Sequence, residues 1–132
     1  MTTRETGSLT IFFVIIVVAF FSVVALVSEG SRRLGNLGRA EDLAAEVARA
    51  AAATLDPDSV SRGNATIDIA DGRARQEADK IIGSIADATI EDFVVMPDRV
   101  FVVVRVKGRS LVPGMSVDGV GSHEAFAFDP TG

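Results

Sequence analysis

Leu9–Val27 reads LTIFFVIIVVAFFSVVALV, nineteen consecutive residues without a charge, in which only Thr10 and Ser22 are polar. A helix of that length spans roughly 28 Å, close to the hydrocarbon thickness of a bilayer. Fifteen of the nineteen are Leu, Ile, Phe or Val. On an insertion scale these residues sum to on the order of −5 to −9 kcal/mol, an upper figure because flanking positions count less. In water such a β-branched run would favour a strand. In lipid only a helix satisfies the backbone of a single span internally. The stretch predicts a membrane helix. A secretory signal would have a shorter apolar core, about 7–15 residues, closed by a small-x-small cleavage site. The flank Val-Ala-Leu-Val-Ser-Glu matches such a site weakly, so a retained anchor is expected.

Working outward, Met1–Gly7 is a polar leader that meets the span at Gly7-Ser8. The chain divides into this leader (1–7), the transmembrane helix (8–28), an interfacial segment with an Ala-rich helix (29–55) and a small domain (56–132). Ser28–Arg33 is interfacial, and Arg32 and Arg33 can snorkel towards headgroups. Gly30, Gly35 and Gly38 each cost roughly 1 kcal/mol inside a helix, which makes Gly30–Gly38 the expected kink or close-packing point. No strand precedes them, so they do not form a phosphate-binding glycine loop. Ala40–Leu55 (AEDLAAEVARAAAATL) is helical by propensity. Ala40, Leu43, Val47, Ala50 and Thr54 or Leu55 recur at helical spacing as a narrow seam, and Asp56-Pro57-Asp58 stops it. Two readings of the small residues stand side by side. In one, the seam packs on the protein's own sheet and the glycines hinge. In the other, Gly30, Gly35, Gly38, Ala44, Val47 and Ala51 receive a partner helix, from a second copy or a related small subunit.

Beyond Pro57, Asn64–Ala70 alternates as a short strand and Asp71-Gly72 turns the chain. Arg73–Ala88 shows Ala74, Ala78, Ile81, Ile82, Ile85 and Ala86 at helical spacing. Thr89–Met96 reads as a strand, and Pro97-Asp98 as a tight turn. Arg99–Lys107 (RVFVVVRVK) is the strongest strand signal, with Val100, Val102, Val104 and Val106 on one face. Ser110–Gly121 holds Pro113 and three glycines and reads as loop. Gly121–Asp129 alternates again as an edge strand. The order is long helix, β, α, β, β, β: an α+β chain whose small antiparallel sheet is covered by helices.

Composition removes several chemistries. With no Cys and one His (His123) among 132 residues, thiolate metal sites, cysteine nucleophiles and His-rich sites are excluded. A net charge of −5 argues against nucleic-acid binding. Charge is uneven: Asp56–Asp98 holds ten acids against four bases, and Arg99–Arg109 holds four bases and no acid. That pattern suits a solvated acidic helix beside a strand with cationic outward positions, or a dipolar subunit that docks head to tail or meets anionic lipid. Asp68-x-x-Asp71-Gly72 lacks the spacing and closing Glu of a calcium loop. Asn64-Ala65-Thr66 is a glycosylation sequon of a kind common by chance. His123 and Glu124 point to opposite faces of a strand and cannot form a dyad. No enzyme activity, cofactor or small-molecule substrate is expected.

Gly7-Ser8-Leu9-Thr10, the apolar span, the polar break and Arg39–Ala53 (RAEDLAAEVARAAAA) together resemble the TadE/TadG-like pilus-assembly proteins. These belong to the tight-adherence (Flp) pilus system, a relative of type IV pili. The resemblance implies a pilin-like fold and a non-enzymatic, pseudopilin-like subunit or assembly factor of a pilus or secretion filament. Its partners would be the bilayer and other pilus-assembly subunits or itself, through the amino-terminal helix. It also implies a prepilin-peptidase site between Gly7 and Ser8 on the cytoplasmic side. The fifth mature residue of pseudopilins is typically Glu; counted from Ser8, that position is Phe12. The missing acid fits an uncleaved assembly factor, or a tip or minor subunit. Arg32, Arg33 and Arg39 after the span would by the positive-inside rule hold the domain in the cytoplasm; the resemblance implies a single-pass protein of the cell membrane with its domain extracytoplasmic. The alternative is a membrane-tethered binding module of the cell envelope, using the sheet or Ser110–Gly121, or an accessory subunit of another membrane complex.

Overall fold

The computed structural model describes residues 2–54 and 69–127. Helix α1 covers Thr2–Ala52 and α2 covers Asp71–Gly83; strands β1, β2 and β3 cover Ala88–Val95, Arg99–Val106 and Gly119–Phe126. The strands form an antiparallel meander in the order β1-β2-β3. The α+β class is as expected, with β2 central and β3 at an edge. Of the strand expected over Asn64–Ala70, only Ile69 and Ala70 are described; the Ile69 amide bonds the Pro97 carbonyl at 3.0 Å. The expected helix stop at Asp56-Pro57-Asp58, the sequon and the Asp68 turn lie outside the described residues.

β2 forms the centre of the core because its alternation is strict. Val100, Val102, Val104 and Val106 are fully buried, and burial of one such side chain is worth about 1.5–3 kcal/mol. Pro97-Asp98 closes the β1–β2 hairpin, with the Met96 amide donating to the Arg99 carbonyl at 2.8 Å. In β1 the register slips between Ile90 and Asp92. This bulge at Glu91 switches the side-chain phase, so that Phe93 and Val95 continue the inward row begun by Ala88 and Ile90. Ala74, Ala78 and Ile82 bury the inner face of α2.

α1 runs as one helix through the glycines. It is continuous from Thr2 to Ala52, about 76 Å long, and Gly30, Gly35 and Gly38 do not break it. Three glycines cost about 3 kcal/mol in propensity. That is less than the cost of opening several hydrogen bonds in the helix. The seam packs on the protein's own sheet: Ala40, Ala44, Val47, Ala48 and Ala51 are fully buried, whereas Ala50 is half-buried. The Thr54 hydroxyl closes the last turn by donating to the Ala51 carbonyl at 2.6 Å.

One correction concerns Gly119, read as loop: β3 begins there, two residues before the expected start at Gly121. Both glycines are inward-facing residues of β3. A Cβ at Gly119 would overlap the backbone of Asn36 and Leu37, and one at Gly121 the backbone of Ala40 and Glu41. The glycines let α1 lie directly on β3, its most extensive neighbour.

Two substitutions test this packing in the reconstituted full chain. Gly121→Val drives a side chain into the α1 backbone, and Val102→Asp buries an unpaired carboxylate. Each should lower stability by more than about 3 kcal/mol, read as faster amide exchange throughout β2. Ser122→Val, on the outward face of the same strand, should stay within about 0.5 kcal/mol of the parent. Equal effects of Gly121→Val and Ser122→Val would contradict the packing.

Candidate functional site

Where α1 leaves its apolar stretch, the loop between β2 and β3 folds back onto it. Glu29, Arg32 and Asn36 follow one another at three- and four-residue spacing, so they share a helix face. Ala40, Ala44, Val47 and Ala51 continue that face, making one stripe that is polar at its membrane end and small and apolar in the domain. Each polar member holds the loop. The Glu29 carboxylate accepts from the Ser110 hydroxyl and from the Leu111 amide, the latter at 3.1 Å. Arg32 Nη1 donates to the Arg109 carbonyl at 3.4 Å, and Asn36 Nδ2 to the Val117 carbonyl at 2.7 Å. Glu29 is only 4% exposed, the one buried charged residue among those described. It stands two residues beyond Val27, about 3 Å along the axis. The loop gives this buried carboxylate the hydrogen-bond donors that it needs.

The loop is itself braced. Gly108 lies so close to Asn36 and Val117 that no Cβ fits, and its amide donates to Asp118 Oδ1 at 3.0 Å. That bond, chiefly, and the nearby Arg105 hold the Asp118 carboxyl below the usual carboxylate range. Gly114 takes a left-handed φ of +83° at the loop's turn. Arg39 Nη1 bonds Asp87 Oδ2 at 2.7 Å and joins α1 to the α2–β1 connection.

The cations of the outward β2 face are neutralised in place. Arg105 pairs with Glu91 and, at 3.5 Å, with Asp118. Arg99 pairs with Asp98 at 3.2 Å and Glu124 at 3.3 Å. Such exposed pairs contribute little stability. His123 is half-buried on the inward side of β3 and Glu124 is exposed on the outward side, so they form no dyad. Among the described residues no three His, Asp or Glu side chains are grouped to hold a metal.

The other residues singled out from the sequence fall into two groups. Ala44, Val47 and Ala51 lie in the core of the protein itself, so within this chain their faces are already occupied. Gly30, Gly35 and Gly38 are exposed with open space above them. Gly7 and Ser8 lie within α1 on exposed turns, and Phe12 is 63% exposed. Sequence reading missed Glu29, Asn36 and Asp118. The first two could have been found by running the Ala40 seam backwards at helical spacing.

Two measurements check the junction. Glu29→Ala leaves the Leu111 amide and Ser110 hydroxyl without their acceptor, which should speed exchange of the Leu111 amide about 5- to 150-fold. Unchanged exchange would show that the contact carries nothing. Because the folded Asp118 pKa is lowered, its contribution to stability is present above the unfolded value and is lost as pH falls through the folded one. The Gly108 amide shift, followed by NMR, should therefore titrate with a midpoint below about 3.9. A midpoint at or above that value would contradict the bond.

Comparison of the chain with protein-family models, with curated proteins and with solved structures finds no match.

Proposed function

We propose that the protein is a non-enzymatic, membrane-anchored, pseudopilin-like subunit or assembly factor of a tight-adherence (Flp, type IV-like) pilus or related secretion filament, with its domain extracytoplasmic. One observation carries the reading. Among the described residues one helix is long and apolar enough to cross a membrane, and its apolar stretch has no protein cover. Leu9, Phe12, Phe13, Phe20, Phe21 and Leu26 are each more than 60% exposed, and that surface requires lipid or neighbouring helices. The same helix runs unbroken into the core of a small antiparallel domain. Helix and domain therefore form one lever, suited to assembly beside other single-span subunits. The acid-free span, with Phe12 where pseudopilins carry Glu, favours an unprocessed assembly factor or a tip or minor subunit.

Because the chain lacks cysteine, single cysteines at Phe20, Phe21, Ser22 and Val23 sample every side of the helix in native membranes. At least one should cross-link to a second copy or to another small single-span protein. No adduct from any of the four would contradict the assembly reading and favour a solitary tether. Intact mass should show Met1–Gly7 retained; their loss from most of the population would identify a processed filament subunit instead.

A further inference from the structure

Arg39, Arg75, Arg99 and Arg105 each hold an acid. Arg32, Lys107 and Arg109 have no acidic partner among the described residues, and all three line one open groove of about 560 Å³. Asp87 also borders the groove, but its Oδ2 already accepts from Arg39. Gly35 keeps the groove wall low, and Arg32 donates to the Arg109 carbonyl beside it. The groove therefore presents three cations to anything that enters.

Its depth follows from α1. Arg32 is five residues beyond Val27, about 7.5 Å along the axis, and the headgroup layer is about 5–7 Å thick on each side. Side chains on a helix lean towards its amino terminus, which here means back towards the bilayer. The loop gives an independent marker of the same level. Leu111 and Met115 are 65% and 49% exposed, and the Leu111 amide is held by Glu29, two residues past the apolar run. Exposed apolar side chains beside unpaired cations match an interface in which acyl chains lie under phosphates.

We infer that the groove between Arg32, Lys107 and Arg109 binds the phosphate of an anionic phospholipid headgroup, with Leu111 and Met115 seated in the interface beside it. This rests on α1 crossing the membrane. The chain has no Trp, so Leu111→Trp places one fluorophore at the site and Val18→Trp, in a separate protein, one in the span. Each is reconstituted in nanodiscs of mixed phosphatidylglycerol and phosphatidylcholine with one or the other lipid brominated. Brominated phosphatidylglycerol should quench Trp at 111 with about a fivefold preference or more, the factor that one cation near an anionic surface supplies. Arg32→Gln, Lys107→Gln and Arg109→Gln together should abolish the preference while β2 keeps its amide protection, and Arg109→Gln alone should reduce it. Equal quenching by the two lipids, or a preference that survives the triple substitution, overturns the inference. Loss of the preference on adding inorganic phosphate would assign the groove to soluble phosphate and overturn the lipid site. Failure of both lipids to quench Val18→Trp would overturn the membrane reading itself, a result distinct from failure of the groove.

Discussion

The close approach of α1 to β3 is the contact on which the rest of the structure depends. Gly119 and Gly121 remove the side-chain layer that normally separates a helix from a sheet, and the backbone of Asn36–Glu41 occupies the space. With α1 seated there, its alanines reach the valines of β2 and the inner face of α2, and one core closes. The arrangement explains why the domain half of α1 is built from Ala: larger residues would lift the helix off the strand. It also fixes the loop, because residues 29–36 arrive beside 108–118 only when the helix is down.

Helix α1 changes its surface along its length. Over Leu9–Val27 its Leu, Ile, Val and Phe side chains are uncovered and large, as lipid contact favours. Over Ala40–Ala52 the inward side chains are small and buried. Between these lies a polar interval whose hydrogen bonds go to a loop rather than to a second helix. Glu29, Arg32 and Asn36 satisfy that loop's backbone and hydroxyl groups, and the described part of the protein leaves no buried side-chain polar atom unpartnered. The transition from exposed apolar stretch to buried core is made within one continuous helix.

Much of this was legible in local pattern. The span, the central strand, the hairpin turn and α2 each declare themselves through periodicity or composition, because each is decided within about ten residues. Glycine is hard to read locally because propensity describes an isolated segment. Gly30, Gly35 and Gly38 are weak helix formers, yet α1 is continuous through them. Gly119 looks like a loop residue until the helix that needs its absent side chain is known, some eighty positions earlier. The Glu29 contact is similarly distant, to Ser110 and Leu111, with no local signal for the pairing. Only the helical spacing from Glu29 to Ala40 hinted that the seam extended towards the membrane.

The central claim, that membrane span and domain are joined by one unbroken helix, is tested most directly by a distance. Cysteine substitutions at Phe13 and Glu46, both exposed, would carry spin labels in a chain with no native cysteine. They are thirty-three residues apart, which corresponds to about 50 Å between backbone positions in a continuous helix. Dipolar spectroscopy of the full chain in bilayers should give one narrow distribution centred near that distance. A broad distribution, or one centred well below it, would place a hinge at Gly30–Gly38 and contradict the account.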